Sequence, residues 1–300
     1  MSIDSTQFIA VPQVPLIWPG DNLAEIMVQC LAREGLSFED GDVLALAQKI
    51  VSKSEGRLVN LSTINPSEQA LALASQVGKD PRHVEVILRE SKEVIWASPG
   101  IFVVETHYGL VCANAGVDRS NIEQVMYPPP QEVTSNGKST SDSAEDFTPT
   151  SSQVNSSKSE WLCLLPRDPD ASAAQIRQLL KELTGAEVAV LINDTHGRPF
   201  RVGGIGVAIG SAGLMALLDQ RGEQDIFGYT LQSTVLGFGD ELASAASLIM
   251  GQAAEATPAV LIRGLRYRRP DPTRPDPGAT ELIRAKEKDV FRYPAKRKLK

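Results

Sequence analysis

The sequence predicts an α+β fold, and three observations carry that prediction. Short apolar runs rich in β-branched residues, such as Val188-Ala-Val-Leu-Ile192, have the length and character of buried strands. Segments with apolar residues at three- and four-residue spacing, such as Leu23, Ile26, Met27, Cys30 and Leu31, read as amphipathic helices. The two kinds of segment are mixed without strict strand–helix alternation, so a purely parallel sheet is not expected. No internal repeat at a fixed period is visible.

The elements follow in order. Val14-Pro-Leu-Ile-Trp-Pro-Gly20 reads as an extended segment ending in a Pro-Gly turn. Asp21 or Asn22 caps a helix from Leu23 to Arg33, which Gly35 closes. Asp40-Gly41-Asp42 turns into an apolar strand, Val43 to Ala47. Lys49 and Lys53 follow it and share a face if the segment is helical, although the sequence also suits a turn. Ser67 to Val77 is a helix stopped by Gly78; Pro81 to Glu90 is another, with Asp80 as N-cap. Val94 to Trp96 and Ile101 to Glu105 are strands, with His107-Tyr-Gly109 as a turn.

Residues 128–160 change character. They begin Pro-Pro-Pro, are dense in Ser and Thr, and offer few large apolar side chains to offset chain entropy, so they read as a disordered surface insertion. They divide the expected core into an N-terminal part, 1–127, and a C-terminal part, 161–265, followed by a polar tail, 266–300. Order resumes at Trp161 to Leu165. Asp170 or Ser172 caps a helix to about Leu183, and Gly185 stops it. The strand Val188 to Ile192 delivers Asn193, Asp194 and Thr195 at its end. A strand-like Gln232 to Gly237, a helix from Asp240 to about Gln252 and a last strand, Pro258 to Ile262, complete the series.

The chain has 300 residues, 42% hydrophobic and 22% charged, as expected of a globular protein. A net charge of −7 argues against a general nucleic-acid binder, without excluding a local basic pocket for phosphates. Cys30, Cys112 and Cys163 show no CxxC spacing, so neither a zinc site nor a disulfide framework is expected. With no signal-peptide pattern and no apolar run near the roughly 20 residues a membrane span needs, a cytoplasmic location is expected. Gly204, Gly206 and Gly210 form GxGxxxG rather than a dinucleotide fingerprint, and close backbone packing is their better reading. No Walker A sequence and no Ser-His-Asp pattern is present.

The chemistry concentrates in two loops. Val111-Cys-Ala-Asn-Ala-Gly-Val-Asp-Arg-Ser-Asn121 opens apolar, narrows to small residues and ends in an acid, a guanidinium, a hydroxyl and an amide. Leu191-Ile-Asn-Asp-Thr-His-Gly-Arg-Pro-Phe-Arg201 repeats that logic. A hard divalent cation takes one or two carboxylates plus water and substrate phosphates, which makes Asp118 and Asp194 the ligand candidates, with Thr195 able to add a hydroxyl. Each Asp alone also suits a turn cap; the pair points to one polyanion-and-metal site built from two segments. His196, inside the second loop, is a candidate substrate contact.

The chain resembles the coenzyme F-420:gamma-glutamyl ligase family (CofE). The resemblance rests on Pro15-Leu-Ile-x-Pro-Gly-Asp21, Ala47-Gln-Lys-Ile-Val-Ser-Lys53 with Glu55-Gly56, Leu88-Arg-Glu-Ser-Lys-Glu93 and Cys112 to Asn121. It continues through Leu165-Pro-x-Asp-Pro-Asp-Ala-Ser172, Asn193-Asp-Thr-His-Gly-Arg198 and Met250-Gly-Gln252. It implies a two-domain α+β fold forming an intertwined homodimer. It also implies a GTP-dependent amide ligase that adds L-glutamate, then a gamma-linked second one, to a 5-deazaflavin coenzyme precursor through an acyl phosphate. By the same resemblance GTP lies near Pro15, Leu16, Ile17, Trp18, Gln48, Lys49, Lys53, Asn121, Met250, Gly251 and Gln252. Asp118 and Asp194, the expected catalytic pair, would bind one Mg2+ or Mn2+, Thr195 and Gln252 a second, with K+ as a further cofactor. Trp18 stands where many relatives carry Lys. The rival readings are a ligase on the same fold acting on another carboxylate acceptor, and a non-catalytic nucleotide-binding protein.

Overall fold

The computed structural model describes residues 5–122 and 161–289. In chain order the elements are β1 (Gln7–Ala10), α1 (Leu23–Arg33), β2 (Val43–Ala47), α2 (Gln48–Ser54), β3 (Leu58–Asn60), α3 (Glu68–Val77) and α4 (Pro81–Arg89). Then come β4 (Ser91–Ser98), β5 (Ile101–Thr106), β6 (Val111–Ala113), β7 (Trp161–Cys163), α5 (Pro169–Thr184) and β8 (Ala189–His196). The last are β9 (Ile205–Ala212), β10 (Leu218–Asp219), β11 (Val235–Leu236), α6 (Phe238–Met250) and β12 (Ala259–Arg263). The fold is α+β, and the expected insertion at 128–160 lies outside the described residues.

The main sheet has the order β1-β12-β2-β8-β9, with β2 and β8 parallel and every other pair antiparallel. Alternation along its strands gives it two buried faces. Leu44 and Leu46 of β2 join Val190 and Ile192 against α1 and α5, through Met27, Leu31, Ala173 and Leu180. Val43 and Ala45 join Ala189 and Leu191 against α6, through Leu242, Ala243 and Ala246. Being covered on both sides, these central strands are continuous apolar runs. A separate buried cluster joins α3 and α4 to β5 and β7 through Ala70, Ala74, Val84, Ile87, Phe102, Val104 and Leu162.

Local chemistry sets the helix ends. Asn22, Ser67 and Asp80 each accept hydrogen bonds from first-turn amides, and Gly78 and Gly185 end α3 and α5 in the left-handed region. The cap of α5 corrects the expectation of Asp170 or Ser172. Asp168 accepts from the Ala171 amide, because Pro169 takes the first helical position.

Asp170 serves instead as an anchor. Its carboxylate accepts from the Ser211, Ala279 and Thr280 amides and from the Thr280 and Tyr108 hydroxyls. Residues 266–289 are thereby held against both halves of the chain, with Ala279 buried beside α6.

Two strand limits differ from expectation, those of β8 and β11. β8 does not stop at Ile192; it runs on through Asn193, Asp194, Thr195 and His196 because β9 pairs with them, past a bulge at Asn193. β11 covers only Val235 and Leu236 of the expected 232–237. β6 ends at Ala113, and a 3-10 turn, Asn114–Gly116, follows with φ near +55° at Asn114 and Ala115 and +68° at Gly116. Glycine is required at 116, since a Cβ there would collide with the Leu165 side chain. Gly204, Gly206 and Gly210 serve close packing as expected. A Cβ on Gly206 would meet Ser247 and the Ala243 carbonyl of α6, and one on Gly210 would meet Pro169 of α5. Among the described residues, no helix is long and apolar enough to cross a membrane.

Candidate active site

The site opens where β2 ends. Ala47 passes directly into Gln48 of α2, so Gln48, Lys49 and Lys53 are fixed to the end of a central strand. Gln48 is buried and its Oε1 accepts from Ser52 Oγ at 2.8 Å. On the neighbouring strand the register places Asn193 opposite Ala47, so Asp194, Thr195 and His196 project beyond the last β2–β8 pair. The lysine pair thus lies on a helix rather than a turn, a full turn apart and facing the same loop.

That loop is 118–121. An isolated antiparallel bridge ties Asp118 to Cys163, just before the loop turns. The Asp118 carboxylate accepts from the Arg119 amide at 2.6 Å, the Ser120 amide at 2.9 Å and Ser120 Oγ at 2.9 Å. Lys49 Nζ lies 2.8 Å from Asp118 Oδ2 and donates to Ser120 Oγ at 2.7 Å. Lys53 Nζ donates to the Asn121 carbonyl at 2.9 Å. Burial pushes the Asp118 carboxyl up, but the Lys49 ammonium and the Ser120 amide outweigh it and hold the group below its ordinary value. Roles thus emerge for Ser120 and for the Arg119 backbone, neither of which sequence reasoning assigned.

The opposite wall comes from the second half. Asn193 Nδ2 donates to Ser247 Oγ at 3.0 Å and approaches Met250 Sδ at 3.5 Å. Ser247 Oγ donates to the Ala243 carbonyl, so it must accept from Asn193, which fixes the amide orientation. Thr195 Oγ1 donates to Gln252 Oε1 at 3.0 Å. After α6 the chain turns at Gly251 with φ +71°, where a Cβ would collide with the Glu255 carboxylate. His196 Nε2 lies 2.9 Å from Asp194 Oδ2.

These walls enclose a cavity of about 810 Å³. Pro15, Leu16, Ile17, Trp18, Gln48, Lys49, Lys53, Asp118, Asn121, Asp194, Thr195, Met250, Gly251 and Gln252 all line it. The structure therefore brings together every residue singled out for the nucleotide and the metals. It adds residues 253–258, Ala-Ala-Glu-Ala-Thr-Pro, which carry no sequence signature beyond the glycine before them. His196 does not line this cavity; it faces a neighbouring recess of about 240 Å³ with Asp240 and Leu110. Among the described residues no three of His, Cys, Asp and Glu converge, so a cation here would draw on two carboxylates, neutral oxygens and substrate.

Comparison with known families matches residues 12–142 and 147–264 to F420-0:Gamma-glutamyl ligase. The chain belongs to the F420-0:gamma-glutamyl ligase family. Curated relatives agree with this along nearly the whole length. The coenzyme F420:L-glutamate ligase of Methanothermobacter thermautotrophicus is 42% identical over 284 residues, covering 95% of this chain and 98% of the relative. The protein of the same description from Methanopyrus kandleri is 42% identical over 292 residues, covering 95% and 98%. That of Methanocaldococcus jannaschii is 38% identical, covering 93% and 94%. As a member of the F420-0:gamma-glutamyl ligase family, this chain is an amide-bond-forming ligase.

Proposed function

We propose that this ligase joins L-glutamate to the deazaflavin coenzyme F420 precursor at the expense of GTP, then adds a second glutamate through a gamma-linkage. The observation that carries the reading is the single cavity in which two lysines, two aspartates, Thr195 and Gln252 meet. Its volume of about 810 Å³ suits a nucleoside triphosphate with part of an acceptor.

A carboxylate does not form an amide without activation. In this reading an acceptor carboxylate oxygen attacks the γ-phosphorus of GTP, the bond to the bridging oxygen breaks and GDP leaves. The glutamate amine then attacks the acyl carbon of the resulting acyl phosphate, inorganic phosphate departs and the amine loses a proton. Lys49 and Lys53 neutralise phosphoryl charge as point charges. The Asn193–Ser247–Met250 contacts hold the α6 end against β8 and so fix the wall on which the nucleotide rests.

The donor set fits divalent cations. Asp118 and Asp194 supply hard carboxylate oxygens, and Thr195 Oγ1 and Gln252 Oε1 already lie 3.0 Å apart. Asp118 with Asp194 would hold one Mg2+ or Mn2+, and Thr195 with Gln252 a second; bound there, such ions would neutralise charge on the transferring phosphoryl group. K+ and a cytoplasmic location complete the reading. A two-domain, homodimeric assembly is supported by the separate α3–α4 core and by exposed large apolar side chains, Phe200 and Val202 between β8 and β9 and Ile226, Phe227 and Tyr229 between β10 and β11.

Mass spectrometry of the products formed from the deazaflavin precursor, GTP and glutamate tests the reading. A ladder spaced by glutamate residues, with GDP release, is expected. An unchanged acceptor mass with GDP release on another carboxylate would move the substrate assignment, and GTP binding without turnover would remove the catalytic one.

A further inference from the structure

We infer that His196 is a positioning residue that holds the Asp194 carboxylate from behind the nucleotide cavity. The inference rests on the proposed role of Asp194 as a metal ligand.

Asp194 and His196 are two residues apart on one strand and therefore share a face. β9 holds their backbone, pairing Asp194 with Val207 and His196 with Ile205, while the pairing with β2 has ended at Asn193. The strand end is thus rigid along one edge and open along the other. His196 Nε2 lies 2.9 Å from Asp194 Oδ2, with only 17% and 16% of the two side chains exposed. A carboxylate can only accept, so Nε2 carries the proton in this contact. The two residues lie on opposite sides of a boundary. Asp194 lines the larger cavity, whereas His196 lines the recess shared with Asp240, Leu110 and Val207. The imidazole therefore engages Oδ2 from outside the site and leaves Oδ1 as the carboxylate's other acceptor.

An aspartate with no such partner samples several rotamers, and each ligand rotamer lost costs the ion affinity. Outer-shell partners of this kind are worth about 10–100-fold in metal affinity or activity. A glutamine at 196 would carry an amide donor near the position of Nε2; a leucine would fill the space without one.

The test titrates Mn2+ into the whole protein by electron paramagnetic resonance, comparing wild type, His196→Gln, His196→Leu and Asp194→Asn, each checked for an unchanged thermal transition. His196→Leu should weaken Mn2+ binding by about 10–100-fold, and His196→Gln should stay close to wild type. Equal weakening in both His196 variants would reveal a packing role and overturn the inference. So would wild-type affinity in His196→Leu alongside loss in Asp194→Asn, which leaves the metal assignment standing. Wild-type affinity in Asp194→Asn, or no Mn2+ uptake by wild type, would remove the metal assignment and this inference with it.

Discussion

The ammonium of Lys49 sits 2.8 Å from the carboxylate of Asp118 and 2.7 Å from the hydroxyl of Ser120, 71 residues further along the chain. One side chain thus joins the start of α2 to the loop that carries the acid. Hydrogen bonds to charged groups contribute about 1.5–3 kcal/mol. Lys49→Met should therefore raise the KM for GTP by about tenfold or more, measured by initial rates. An unchanged KM would remove Lys49 from the nucleotide contacts.

The same pair sets a pH dependence. The Asp118 carboxyl lies below its ordinary value of 3.8 in the folded protein. A depressed folded pKa contributes stability that is present above the unfolded value and lost as pH falls through the folded one. Asp118 therefore stays ionised throughout the neutral range, and its protonation should impose no acid limb on activity near neutral pH. Asp118→Asn and Asp194→Asn should each abolish glutamylation with the fold retained. Near-wild-type rates at limiting magnesium in either variant would contradict the metal assignment.

Gly206 sets how closely α6 approaches β9. A Cβ there would run into Ser247 and the Ala243 carbonyl. Gly206→Ala should cost about 1–3 kcal/mol in chemical denaturation, as overpacking does. It should also weaken GTP binding in calorimetry, because Ser247 holds Asn193 and the helix ends at the cavity. Wild-type stability would show that α6 can shift freely.

The three thiols are buried, and burial pushes Cys112 up to about 12 and Cys163 to about 11. Cys30 is also raised, chiefly by burial. Since the thiolate is the reactive form, iodoacetamide at pH 8 should leave all three unmodified in the native protein and label them after denaturation. Mass spectrometry reads this directly, and rapid labelling of native Cys112 would contradict its enclosed position beside Asp194.

Much of this architecture is written in local chemistry. Asn22, Ser67 and Asp80 cap helices because short polar side chains reach first-turn amides, and Gly78 and Gly185 end helices because the left-handed region favours glycine. What was not legible depends on distant partners. The polar residues 193–196 end the apolar run, yet β9 keeps them in the sheet. Asp168 and Asp170 flank one proline, and only the contacts to Ser211, Ala279 and Thr280 reveal what the second one does. The site residues are legible as whole motifs rather than residue by residue. The links from Ser120 to Lys49 and from His196 to Asp194 needed the three-dimensional register.

Asp170 also orders events in time. Of its five donors, Tyr108 is made 62 residues earlier, Ser211 follows 41 later, and the three from Ala279 and Thr280 follow 109 and 110 later. A chain still emerging from the ribosome therefore holds this carboxylate with most of its donors missing, long after the flanking helix can form. The anchor matures only when the segment around Ala279 arrives, which makes docking of that segment a late step in the life of every copy.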